Sequence, residues 1–135
     1  MTQARHLMRK ASAIKAQATA REIILKLMEE GYPGLPVVND QSEIIGIVTE
    51  FDILEALWDG RDIDTVTAEE IMSKSVVAAD LDTAEREIIE TMLHNHFTVI
   101  PVVRDGKKLA GIVSRLEVMN AYVEPELARP SKGVS

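Results

Sequence analysis

One motif, written twice, limits what this chain can fold into. Gly46-Ile47-Val48-Thr49-Glu50-Phe51-Asp52 returns sixty-five residues later as Gly111-Ile112-Val113-Ser114-Arg115-Leu116-Glu117. Each copy is an apolar run that ends at a hydroxyl, with a carboxylate three residues on. The surroundings repeat as well. Leu35-Pro36-Val37-Val38-Asn39-Asp40 matches Ile100-Pro101-Val102-Val103-Arg104-Asp105. Thr19-Ala20-Arg21-Glu22-Ile23-Ile24 returns as Thr83-Ala84-Glu85-Arg86-Glu87-Ile88-Ile89, with one residue inserted. His6-Leu7-Met8 has an echo in Glu70-Ile71-Met72. A repeat of this length marks a supersecondary unit used twice. One copy buries too little apolar surface to be comfortable alone. Two copies are therefore expected to form one structural unit, packed sheet to sheet about a pseudo-twofold axis.

The periodicity within each copy assigns an α/β (α+β) fold of two tandem β-α-β-β-α repeats. The first repeat is placed at residues 1–62 and the second at 63–124. Residues 125–135, with Pro130, Gly133 and no apolar period, read as a disordered tail. Short helices are expected at 2–8 and 67–72, the second opened by the capping box Thr67-x-x-Glu70. Short strands are expected at 13–16 and 76–78. An amphipathic helix follows at 20–30, with Thr19 and Glu22 as its box, Gly31 as its stop, and Ile23, Ile24, Leu27 and Met28 on one stripe. Its counterpart runs over 83–95, with Ile88, Ile89, Met92 and Leu93. The methionines at this spacing read as core filler. Hairpins are expected at 35–38 with 44–48 and at 99–103 with 109–113, their strands buried on both faces. Pro36 and Pro101 belong at strand starts or edges, because neither has an N–H. A second helix closes each repeat, at 50–58 and 115–123.

Composition narrows the function. The net charge of −7 shows no basic face for a duplex, so nucleic acid is disfavoured as a partner. A small anionic ligand is not disfavoured, because it responds to local groups and helix ends. There is no cysteine for disulfides, thiol catalysis or thiolate metal sites, which fits a reducing compartment. No apolar run spans a membrane, and the amino terminus does not read as a secretory signal, so a cytoplasmic protein is expected. No nucleophile turn, paired base or Walker loop is visible, so an enzyme is not expected. His94 and His96 are two apart and lack a third ligand, so they read as surface or cap residues, and no metal is expected. Trp58, at the end of its helical stripe, reads as an interface or core residue.

The Leu-Pro-Val-Val-x-Asp hairpin and the Gly-apolar-apolar-Thr-x-x-Asp motif resemble the cystathionine-β-synthase (CBS) domain. Two in tandem resemble a Bateman module, and a stand-alone one, without a fused effector domain, is expected. The resemblance implies a regulatory sensor that binds an adenosine-containing ligand (AMP, ADP, ATP or S-adenosylmethionine) in the cleft between the repeats. It implies no catalytic cofactor, a homodimer of modules, and an effector protein that receives the signal. It places Thr49 and Asp52 on the ligand, with Asp52 on the ribose. The backbone near Ile14, Lys15, Tyr32, Gly34 and Leu35 would border the adenine.

The same Thr-x-x-Asp can equally be a helix cap that needs no ligand. Asp is the less usual box partner, which favours the ligand reading at Thr49–Asp52. Ser114-x-x-Glu117 is the usual box, and the extra methylene of Glu117 pushes its carboxylate into ribose space, which favours the cap there. Arg115 could reach a phosphate at this second place. One site per chain is expected, at the first repeat. The competing reading is a dimeric scaffold or partner-docking protein with an empty or vestigial nucleotide site, suggested by Glu117 and by Phe51, Leu57 and Trp58 as exposed apolar residues.

Overall fold

The computed structural model describes residues 2–10 and 12–123; the expected tail lies outside them. The fold is mixed α+β. Its elements in order are α1 (Ala4–Leu7), α2 (Ala20–Glu30), β1 (Gly34–Val38), β2 (Ile44–Thr49), α3 (Glu50–Trp58), α4 (Ala68–Ile71), β3 (Ala79–Asp80), α5 (Glu85–Asn95), β4 (Val99–Arg104), β5 (Lys108–Ser114) and α6 (Arg115–Val123).

The chain divides into two compact units that cut the sequence at unexpected places. One is Ala11–Val76; the other joins Met1–Lys10 to the chain from Val77 onward. The short lead-in segments explain this. In the second unit, the Glu85 N–H at the start of α5 donates to the Thr2 carbonyl (3.0 Å), and Ala4 N–H donates to the Thr83 carbonyl (2.8 Å). In the first unit, Ala20 N–H at the start of α2 donates to Val66 O (2.9 Å), and Ala68 N–H donates to Ala18 O (2.8 Å). Free N–H groups at a helix start need partners, and each long helix takes one from a lead-in distant in sequence.

Within the first unit, β1 and β2 pair antiparallel, with Gly34 opposite Thr49 and Val37 opposite Gly46. Ile14 adds a single parallel bridge to Val37 rather than the strand expected at 13–16. Ser73 bridges Ile47 on the outer side of β2. The second unit has the order β3-β4-β5, with Arg9 bridging Ile112. Its first strand is Ala79–Asp80, just past the expected 76–78.

Gly46 and Gly111 are small because of these lead-ins. A Cβ on Gly111 would lie 2.8 Å from the Arg9 carbonyl oxygen, and one on Gly46 would strike the Met72 sulfur. The motif glycines thus serve close backbone approach.

Ile23, Leu35, Val37 and Val48 are fully buried in the first unit, and Ile88, Ile100, Val102 and Val113 form the matching core of the second. Each such side chain contributes ~1.5–3 kcal/mol by leaving water. Several expectations need correcting. Met28 and Leu93 are exposed, because the buried stripe of each long helix narrows to Ile23 with Leu27 and Ile88 with Met92. Met119 is exposed too, so only some methionines fill the core. β2 alternates between buried and half-buried residues rather than being covered on both faces. Pro36 and Pro101 each stand third in their strands; Pro36 is on an edge strand, as expected, whereas Pro101 is on the central strand of three. Pro36 is tolerated because its carbonyl, and so the side its N–H would face, points to the one-residue bridge with Ile14 (3.0 Å).

Candidate functional site

The capping box at the head of α3 is fully formed. Asp52 N–H donates to Thr49 Oγ1 (3.3 Å), and Thr49 N–H donates to Asp52 Oδ2 (2.8 Å). The Thr49 hydroxyl also donates to Oδ2 (3.1 Å). Both bonds that the carboxylate accepts thus fall on Oδ2, and both residues are half-buried. Cap and clamp are therefore not exclusive: the box fixes the Asp52 rotamer, and Oδ1 lies outside it. The Glu50 N–H is satisfied by the Pro33 carbonyl (2.9 Å).

The strand register decides which of the other named residues gather here. Gly34 pairs with Thr49 and Leu35 with Val48, so 32–35 run beside the head of α3. Tyr32 is buried and Leu35 is wholly inaccessible, so the side chain of Leu35 belongs to the core and only its backbone can face a ligand. Ile14 sits farther along β1, opposite Val37, three residues from Gly34. At the rise of a strand that is about 10 Å. Lys15 reaches away to Asp40 in the hairpin turn (3.1 Å), so it does not stand at the Thr49–Asp52 head.

Ile14 and Lys15 instead border an open hollow of about 630 Å³ against α2, together with Leu25, Lys26 and Glu29. This is the size of a small-molecule site. The matching place in the second unit, lined by Ala79, Thr83, Thr91 and Ile100 among others, holds only about 60 Å³. Thr49 and Asp52 do not line the hollow.

The head of α6 is built differently. Ser114 is buried, and its N–H donates to Glu117 Oε1 (2.6 Å). Glu117 Oε2 takes the Arg9 guanidinium (3.4 Å). Both oxygens of this carboxylate are engaged. Arg115 points to solvent. Arg9 was not among the residues singled out from sequence. The echo of Met8 in Met72 contained the signal, because one step further it aligns Arg9 with Ser73.

A displaced acid–base pair lies away from both heads. Arg21 donates to both oxygens of Asp64 (2.6 and 3.0 Å), which holds the Asp64 carboxyl below its ordinary range and raises Arg21. His96 takes the left-handed position that ends α5 (φ 57°), and His94 is exposed. Among the described residues no cluster of His, Cys, Asp or Glu is set to hold a metal ion, and no helix is long and apolar enough to cross a membrane.

Comparison with known proteins adds to this geometry. The family model described as CBS domain matches residues 4–59 and again 68–124. An uncharacterized protein of Methanopyrus kandleri is 36% identical over 110 residues; the match covers 81% of this chain and 55% of that protein, so the chain spans about half the relative's length. The CBS domain pair of protein MJ0100, in complex with 5′-methylthioadenosine and S-adenosyl-L-methionine, superposes with a TM-score of 0.81 at 25% identity, covering 93% of this chain and 98% of that one. CBSX2 in complex with AMP has the same fold, with a TM-score of 0.82 at 20% identity over 93% and 99% of the two chains.

Proposed function

The chain belongs to the CBS domain family as a tandem pair of repeats, and from that premise we propose that it is a regulatory module for an adenosine-containing ligand, with its site at the first repeat. The carrying observation is the head of α3. There a helix start, a hydroxyl and a half-buried carboxylate with one oxygen outside the capping box converge beside the backbone of Tyr32, Gly34 and Leu35. The helix start favours phosphate. The outer oxygen of Asp52 accepts a ribose hydroxyl by a charge-assisted bond. Ile14, which bridges Val37 three residues along β1 from Gly34, and Lys15 border a separate open hollow against α2. AMP, ADP, ATP and S-adenosylmethionine are the candidate ligands, supported by the contents of the MJ0100 and CBSX2 complexes.

The module performs no chemistry in this reading. Ligand binding biases one arrangement of the protein over another through its differential affinity, and an effector protein reads the change. The test is calorimetry with the four ligands on the wild type and on Asp52→Asn, which removes the charge and keeps an acceptor for the Thr49 N–H. Binding of at least one ligand, lost or strongly weakened in the variant, supports the reading. Absence of binding at millimolar ligand, or indifference to the substitution, refutes it.

A second copy of the chain is the favoured protein partner. Phe51, Leu54, Leu57 and Trp58 lie exposed on α3, Trp58 at 89%. Leu116, Met119, Tyr122 and Val123 lie exposed at the same spacing on α6. Apolar patches of this kind are normally covered, and two matched stripes suit a partner that carries the same pair. Sedimentation of the wild type against Trp58→Glu tests this: a dimer that the substitution dissociates is expected. A monomeric wild type would refute the dimer and, with it, the dimeric scaffold, leaving docking on a different protein.

A further inference from the structure

Building on the ligand reading of the first repeat, we propose that Arg9 closes the equivalent place in the second repeat, so that the chain carries one nucleoside site rather than two. The two lead-ins run Met8-Arg9-Lys10 and Met72-Ser73-Lys74. Each lies against the same point of its hairpin. Arg9 exchanges both backbone bonds with Ile112 (2.8 and 2.9 Å), and Ser73 exchanges both with Ile47 (3.0 and 2.9 Å). Gly111 permits the approach, since a Cβ there would stand 2.8 Å from the Arg9 oxygen. One position in the fold therefore holds an arginine that reaches Glu117 at the head of α6 in one unit, and a serine beside β2 in the other.

The consequence falls on the carboxylate. Glu117 has Oε1 on the Ser114 N–H and Oε2 on the Arg9 guanidinium, and its side chain is only 14% exposed. Asp52 has both of its bonds on Oδ2, with Ser73 rather than a cation on the neighbouring lead-in. A ribose hydroxyl both donates and accepts, and the charge-assisted bond it gives to a carboxylate is best made to an oxygen not already engaged. The first repeat presents an acceptor. The second has both carboxylate oxygens engaged, one of them by Arg9, whose side chain is 66% exposed. Arg9 thus acts through Glu117 as a specificity-determining residue, and the arrangement is held by backbone pairing rather than by chance meeting of two surface side chains.

The experiment counts AMP molecules per chain by calorimetry for the wild type, Glu117→Asp, and Glu117→Asp combined with Arg9→Ser. The expected counts are one, one and two. Arg9→Gln in place of Arg9→Ser keeps the length without the charge and must also give two. Thermal melts of each variant establish that it is folded. Two AMP on Glu117→Asp alone would overturn the proposal, since carboxylate length would then decide and Arg9 would be a bystander. Two on the wild type, or one on both combined variants, would overturn it as well. If the wild type binds no AMP, the reading of the first site fails for this ligand; a combined variant that then gains one AMP still supports closure by Arg9, and one that gains none refutes it.

Discussion

The heads of α3 and α6 begin from the same backbone plan and end with their carboxylates differently engaged. Both follow an apolar strand and have their first N–H satisfied by a carbonyl from the preceding loop, Pro33 or Thr98. Both fold a carboxylate back onto the residue before the helix, through Asp52 or Glu117. At α3 that carboxylate keeps an oxygen outside the box, and at α6 the second oxygen goes to Arg9. The hollow along the first repeat is also about 630 Å³ against about 60 Å³ in the second. A duplicated fold can thus preserve its scaffold while its two helix heads diverge, and here the divergence enters through a lead-in outside the motif itself.

The comparison can be broken where it assumes equivalence and sharpened where it claims difference. Ile23 and Ile88 are matching core positions, at 0% and 1% exposure. Ile23→Ala and Ile88→Ala should each cost ~2–5 kcal/mol, read from urea midpoints. Clearly unequal losses would show that the two cores are not equivalent. The motif glycines should differ next. Gly111→Ala meets a backbone oxygen, whereas Gly46→Ala meets chiefly the pliable Met72 side chain. Overpacking costs ~1–3 kcal/mol, with Gly111→Ala toward the top of that range and Gly46→Ala toward the bottom. Thr49→Ala removes the hydroxyl that caps α3 and should cost about 0.5–2 kcal/mol, with Thr49→Ser recovering most of it in thermal melts.

The smallest effect belongs to Arg21–Asp64, a solvent-exposed pair. Asp64 titrates low because of its hydrogen bonds to Arg21. Its contribution is therefore present above the ordinary carboxylate range and fades as the pH falls through the lowered folded value. Arg21 is raised, so its share fades only above the ordinary arginine range. Exposure and screening keep both shares slight. Asp64→Asn should move the melting midpoint marginally, and added salt should erase the difference.

Much of the fold was legible because local signals agreed. Thr19 with Glu22 and then Gly31 bounded α2 at Ala20–Glu30, and the left-handed Gly31 (φ 72°) confirms the stop. Thr83 misled in the aligned place: it pins Asp80 in a turn, and α5 starts two residues later, after Ala84. The inserted residue changed the job of the threonine. The repeat was visible, yet the pairing of each lead-in with the other copy's helix was not. Repeats are counted along the chain, and the bonds from Glu85 to Thr2 and from Ala20 to Val66 join segments far apart on it. At the site, Thr49 and Asp52 were legible from spacing alone. The separation of Lys15 from them was not, because it depends on Ile14 pairing with Val37 and on the reach to Asp40. Arg9 was hidden for the same reason, standing 108 residues from Glu117.

The measurement that bears most directly on the difference between the two heads is a calorimetric titration of AMP into the wild-type chain, repeated on Asp52→Asn and on Glu117→Gln. One AMP per chain, lost in Asp52→Asn and retained in Glu117→Gln, is the expected result. Two equivalent AMP per chain, or binding that survives Asp52→Asn and disappears in Glu117→Gln, would contradict it.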